Sequence, residues 1–332
     1  MPLPAAQWIR WTPVLLGLGL AVGAARGAVW TEDFATDPGQ RGWGRHGDAA
    51  LFQWNAGAQH LEVTWDSSRP NSFFHRRLGD ILTKRDDFMV EFDLRLQAVE
   101  GGARPEKPST FQLAVGLVRW AAVTNAGFVR ATVPGTVNVV EFDYFPAAGG
   151  IDATVSPLLV SSNSQFIPGF AFPLELGTGA LFRVTLRYAA SNQTLVTTMT
   201  RDGQPFGPVP DVRLPASFTD FRVDTVAVCS YSDTGDPEGS VWATGSVDNF
   251  RVTTPPAPVR SVAAFMDGAH YGVRFLGRTN WSYTLLRSPD LRAWSVAQQL
   301  PPASGTNLWL SDPAPLPAAG EHRFYRVLGE RP

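Results

Sequence analysis

Of 332 residues, 28 are Lys or Arg and 30 are Asp or Glu, so the chain is weakly acidic. Its two lysines, Lys84 and Lys107, build no basic stripe, which excludes nucleic-acid binding as a leading function. Cys229 stands alone and excludes a disulfide scaffold, while 44% apolar and 17% charged residues describe a packed chain, not a disordered one.

The N-terminus reads as an export signal (residues 1–27). Arg10 precedes the apolar run Val14 to Ala24, and the small residues Ala25 and Gly27 place cleavage before Ala28. The run is too short for a membrane span, which needs about 20 apolar residues. Removing residues 1–27 leaves 305 residues with a net charge of −4. The expected product is secreted, whether extracellular, periplasmic or cell-surface, with no membrane span. Export without disulfides is more usual in bacteria.

From Ala28 onward the pattern is short alternating or β-branched runs separated by Gly, Pro, Asn and Asp, with 31 Gly and 27 Pro in all. Strands are expected at Ala50 to Trp54, His60 to Trp65, Phe73 to Leu78, Phe88 to Gln97, Phe111 to Arg119 and Thr136 to Phe145. More follow at Ala180 to Tyr188, Thr194 to Arg201, Phe218 to Ser230 and Ser246 to Thr253. Asp202-Gly203 marks a hairpin. This many strands without helices implies an all-β antiparallel sandwich, a jelly roll occupying 28–254. Cys229, inside an alternating run, is expected to be buried.

A proline-rich stretch, Thr253 to Val259, breaks the pattern and is expected to be a linker (255–260). Beyond it, 261–332 should form a small β-sandwich with Trp281, Trp294, Trp309 and Tyr325 in its core. Ser288 to Leu291 is expected to start a helical turn.

Two strands repeat Glu and Asp at i and i+2, which puts both carboxylates on one sheet face: Glu91 with Asp93, and Glu141 with Asp143. Such a pair can act as acid and base, hold a metal, or hydrogen-bond sugar hydroxyls. It can equally be a polar sheet face bridged to arginines. Arg95, on the same face, is the natural partner for Glu91 and Asp93.

Val139-Val140-Glu141-Phe142-Asp143-Tyr144-Phe145-Pro146, with Gly150-Ile151-Asp152 after it, resembles the metal-bearing strand of legume-type lectins. The resemblance implies a concanavalin A-like jelly roll with Glu141 and Asp143 as metal ligands. The intervening loop here is only Ala147-Ala148-Gly149 and lacks the family's Asn, Asp and His, so the transition-metal site is expected to be missing. Glu32-Asp33-Phe34, Gly42-Trp43 and the closing Val247-Asp248-Asn249-Phe250-Arg251-Val252 look like the ends of bacterial laminin-G-like modules. That likeness implies neighbouring first and last strands and a structural Ca²⁺ held by Glu32, Asp33 and Asp248. The segment from Tyr283 to Val327 is similar to small C-terminal β modules of Verrucomicrobia-type secreted proteins.

Glycosidases of the laminarinase type share the fold and carry Glu-x-Asp-x-x-Glu. Here the last position is Pro146, so the general acid is missing. Sugar binding needs aromatic platforms, and of Trp43, Trp54, Trp65, Trp120 and Trp242 the two beside expected loops, Trp120 and Trp242, are the candidates. The sequence therefore points to a secreted, non-catalytic, lectin-like protein. Glu141, Asp143, Trp120 and Trp242 would contact a polysaccharide or other glycan. A glycosidase or lyase with an unrecognised site, or a structural adhesion protein, are the alternatives.

Overall fold

The computed structural model describes residues 7–9, 28–130, 135–233, 239–268, 270–317 and 321–331. Most of the expected export signal, with its apolar run and cleavage site, lies outside the described residues. Gln7–Ile9, near its start, pairs as an edge strand with Phe324–Glu330.

The chain divides into two compact units, Val29–Thr254 and Pro255–Pro332, the latter taking in the residues before Val29. The larger is an all-β antiparallel jelly-roll sandwich. One sheet has seven strands in the order Phe166–Pro168, Thr154–Val160, Val139–Phe145, Leu113–Val118, Val223–Ser230, Ser72–Leu82, Trp43–His46. The other is built on Thr194–Arg201, Phe182–Ala189, Phe88–Gly101, Val241–Thr254 and His60–Asp66. As expected, the first sandwich strand, Ala28–Glu32, lies beside the last, Val241–Thr254.

Alternation explains the core. Phe88, Val90, Phe92, Leu94 and Leu96 are buried between the sheets, while Glu91, Asp93 and Arg95 point outward. Across the core Phe92 meets Phe142 edge-on at 5.9 Å. Asp202 and Gly203 turn the expected hairpin with φ of 49° and 82°, the positive values a two-residue turn requires. Glu91 and Asp93 do sit on a polar outer face, but their partners differ from the expected one. Arg183 bonds Asp93 at 3.1 Å and Arg251 reaches Glu91 at 3.4 Å, whereas Arg95 donates to the Gly179 carbonyl.

The C-terminal unit pairs a sheet containing Phe324–Glu330, Ser282–Ser288 and Ser295–Leu300 with a three-stranded one, Arg260–Asp267, His270–Leu276 and Asn307–Ser311. Its core holds Val273, Phe275, Tyr283, Leu285, Leu310 and Tyr325. Trp281 and Tyr325 are buried as expected, but Trp309 is 67% exposed and Trp294 stacks under Arg326 near the surface. No helical turn forms at Ser288 to Leu291. The Asp290 carboxylate instead caps the Arg292 and Ala293 amides, and Leu291 takes φ 64°. The proline-rich stretch is pinned to this unit: the Arg278 guanidinium bonds the Pro256 carbonyl at 2.5 Å, and the Tyr283 hydroxyl bonds that of Pro258 at 3.1 Å. Pro255 onward therefore belongs to the second unit.

Candidate functional site

The strand Val139–Phe145 is buried on both faces from Val139 to Tyr144. Val140, Phe142 and Tyr144 fill the core between the sheets, so Glu141 and Asp143 point to the opposite, outer face of the seven-stranded sheet. That face is not solvated. The segment from Arg119 to Arg130 lies over it, and both carboxylates are 0% exposed. The expectation that they contact a glycan is therefore corrected, because no ligand in solvent reaches them.

What they contact instead is Arg130, itself 2% exposed. Its Nη2 lies 2.7 Å from Asp143 Oδ2 and 3.3 Å from Glu141 Oε2, and its Nε donates to the same Glu141 oxygen at 3.3 Å. Glu141 Oε1 accepts from the Tyr231 hydroxyl and, at 3.5 Å, from the Cys229 thiol. Room for this group comes from the neighbouring strand, where Ala114 and Gly116 lie opposite Asp143 and Glu141. A Cβ on Gly116 would sit 2.3 Å from the Val140 carbonyl oxygen, so only glycine fits there.

Burial raises the pKa of Glu141 against the pull of Arg130, Tyr231 and Cys229. It raises Asp143 further, since Asp143 has only Arg130 to oppose burial and feels the charge of Glu141. Asp143 Oδ1 has no partner, nor does Ser156 Oγ on the residue paired with it across the ladder. One guanidinium thus serves two buried carboxyls, and of the two Asp143 is the one whose charged form burial opposes more. Burial opposes charge on Arg130 as well, but Asp143 and Glu141 outweigh it and push its pKa up. The Cys229 thiol, fully buried as expected, is also pushed up, first by burial and then by Glu141. The cluster is closed to general acid–base chemistry with a ligand.

The rim of the same face is open. Trp120 begins a short helix, Trp120–Val123, and is half-buried. Its ring lies 3.7 Å from that of His75 and meets His46 and Phe73 edge-on at 5.4 and 6.1 Å. Asp224, buried beneath, fixes this corner. One of its oxygens accepts the Trp120 amide at 2.9 Å, and the other accepts Arg119 at 2.6 Å and Arg77 at 3.2 Å. Burial, then His46 and Arg77, lower the His75 pKa to about 4, so its imidazole is neutral at pH 7. Trp242 is also half-buried, but it stands on the outer face of the other sheet, between Asp66 and Glu100. The sandwich separates the two tryptophans, and Trp43 and Trp65 are core residues.

Glu32, Asp33 and Asp248 do not gather as a calcium site. Both Glu32 oxygens are taken, one by the Phe34 amide and Arg41, the other by Trp43 Nε1. Asp33 caps the Ala35 amide and bonds Arg41, while Asp248 binds the amide of Asn249. No cluster of three or more His, Cys, Asp or Glu suited to a metal ion occurs among the described residues. Two adjoining polar clefts of about 360 and 210 Å³ share Asp93 and Asn249 here.

Burial, then the charges of Asp93 and Asp33, push the pKa of Asp248 up to about 6. The folded protein therefore holds this proton at pH values where the unfolded chain has lost it. Stability from Asp248 is full below about pH 4 and falls as pH rises towards 6. Asp248→Asn is expected to raise the melting point at pH 7 by a gain of about 1 kcal/mol, reduced because the group is half in water. The difference should vanish near pH 4. A gain that persists at pH 4 would refute this assignment.

No family model and no curated protein matches the sequence. Among solved structures, the chain is similar to a legume lectin-like domain from Entamoeba histolytica (9% identity, 70% of this chain and 98% of that one, TM-score 0.40). It is also similar to lectin II from Ulex europaeus (12%, 69% and 99%, 0.46) and to the alginate lyase Aly36B (9%, 70% and 98%, 0.39). Its structural neighbours are thus legume-lectin-like, concanavalin A-like jelly rolls.

Proposed function

We infer that the protein is a secreted, non-catalytic carbohydrate-binding protein whose glycan contact is the rim surface around Trp120. The observation that carries the reading is the half-buried Trp120 ring against His46 and His75, with Arg77 and Arg119 held at the same corner by Asp224. An aromatic plate matches the apolar face of a pyranose, and the flanking planar groups match its hydroxyls. Because Asp224 already holds Arg77, Arg119 and the Trp120 backbone, the surface is preorganised and little ordering entropy remains to be lost on binding. The sealing of Glu141 and Asp143 supports a binding role over glycosidic hydrolysis at that strand.

Polysaccharide titration of the wild type and Trp120→Ala tests this. Saturable binding should weaken at least ~30-fold in Trp120→Ala, the loss of an aromatic anchor worth about 2 kcal/mol, measured at a temperature where the variant is fully folded. Equal affinity in the two proteins, or no binding across neutral and acidic polysaccharides, would overturn it.

One observation favours a second reading, a polysaccharide lyase. His75 and the cation Arg77 stand at i and i+2 on one face of the strand Ser72–Leu82 beside Trp120, a nitrogen base next to a group that pairs with carboxylates. Release of unsaturated product from uronate polymers would select it.

A further inference from the structure

We propose that Arg130 is the sandwich's own cation: its guanidinium, delivered by the segment that covers the sheet, occupies the position between Glu141 and Asp143 that a divalent ion would need. The resemblance of this strand to legume-type lectins implies a metal there, and the residues present do not fit one. A single nitrogen, Arg130 Nη2, reaches both carboxylates at 3.3 and 2.7 Å, so the space between them is filled. The remaining Glu141 oxygen is committed to Tyr231 and Cys229. Asp143 Oδ1 and Ser156 Oγ are the unpartnered oxygens at this place, far short of the 6–8 that Ca²⁺ takes at ~2.3–2.6 Å.

The arrangement also does mechanical work. Arg130 ties one end of the covering segment to the sheet, while Asp224 ties the other through the Trp120 amide and Arg119. In a metal-held surface the ion fixes such a segment; here a side chain of the segment does, and the rim forms without any ion. The inference rests on the buried cluster and not on the sugar reading, and its test uses melting points alone.

Thermal unfolding of full-length wild type, Arg130→Ala, the double variant Glu141→Gln/Asp143→Asn and the triple variant Arg130→Met/Glu141→Gln/Asp143→Asn is followed in EDTA, in Mn²⁺ and in Ca²⁺. The wild type should melt at one temperature in all three. Arg130→Ala should melt roughly 10 °C lower in EDTA, as expected for buried carboxylates stripped of their partner. It should regain part of that loss when Mn²⁺ or Ca²⁺ enters the vacated space. The triple variant, with no buried charge, should ignore metals and melt above the double variant, whose arginine is left alone. The comparison of double and triple variants keeps the test decisive if Arg130→Ala does not fold. A wild type that EDTA destabilises or metal stabilises would overturn the proposal. So would a folded Arg130→Ala blind to both metals, or a triple variant no more stable than the double.

Discussion

Asp312→Ala is expected to lower the melting of the C-terminal unit by roughly 20 °C while the sandwich keeps its own transition. Asp312 is 0% exposed. Its carboxylate accepts from Arg287 at 2.8 Å, Arg323 at 3.3 Å, the Tyr325 hydroxyl at 3.0 Å and the Ala314 amide at 2.9 Å. Burial pushes Tyr325 up to about 12, so its hydroxyl stays protonated and donating at any ordinary pH. Removing the common acceptor leaves a buried hydroxyl and a half-buried amide unpaired and two cations without their counter-charge, at a cost of about 3–5 kcal/mol. A unit of this size holds only roughly 4–11 kcal/mol, at about 0.05–0.15 per residue, so the loss takes most of it. Scanning calorimetry would show one transition moving and the other fixed. Two transitions that move together would contradict the division into units at Pro255.

Glu141→Gln is the second change with a large expected effect, and it acts on the sandwich. The substitution keeps shape but removes the charge that Arg130, Tyr231 and Cys229 share. Losing charge-assisted hydrogen bonds in a closed site costs ~1.5–3 kcal/mol, or roughly 3–12 °C for a unit of this size. Asp143 remains to pair with Arg130, which is why the cost is not larger. The sign is fixed by burial. If Glu141 faced solvent, the same change would fall within about 0.5 kcal/mol, and that outcome would contradict the closed cluster.

The strands were readable because alternation is a local property: Phe88 to Gln97 alternates through its whole expected length, and Asp202-Gly203 names its own turn. What lay above the sheet was not readable. Placing Arg130 between Glu141 and Asp143 depends on the path of a loop that returns over the strand it precedes, and no spacing rule encodes that path. A signal was nevertheless present. Val139 and Phe145 share a strand face with Glu141 and Asp143, and a truly solvated face would not carry apolar residues at both ends. An apolar run on both faces implies burial on both, and buried carboxylates imply a cation nearby. Reading Trp309 as core failed for the converse reason. Its strand, Asn307–Ser311, alternates, but Leu308 and Leu310 take the inward phase and Trp309 the outward one. Arg95 was the nearest cation in sequence to Glu91 and Asp93, yet strand pairing brought Arg183 and Arg251 closer in space.

A structural role for Glu141 and a ligand role for Trp120 are separated by one pair of measurements. Glycan affinity and melting point are determined for wild type, Glu141→Gln and Trp120→Ala, with affinity measured well below every melting transition. Glu141→Gln should melt several degrees lower and bind as the wild type does, while Trp120→Ala, which also loses its packing on His75 and Phe73, should lose affinity where it is fully folded. Loss of affinity in Glu141→Gln with an unchanged melting point would place the ligand at the carboxylates and contradict this division of roles.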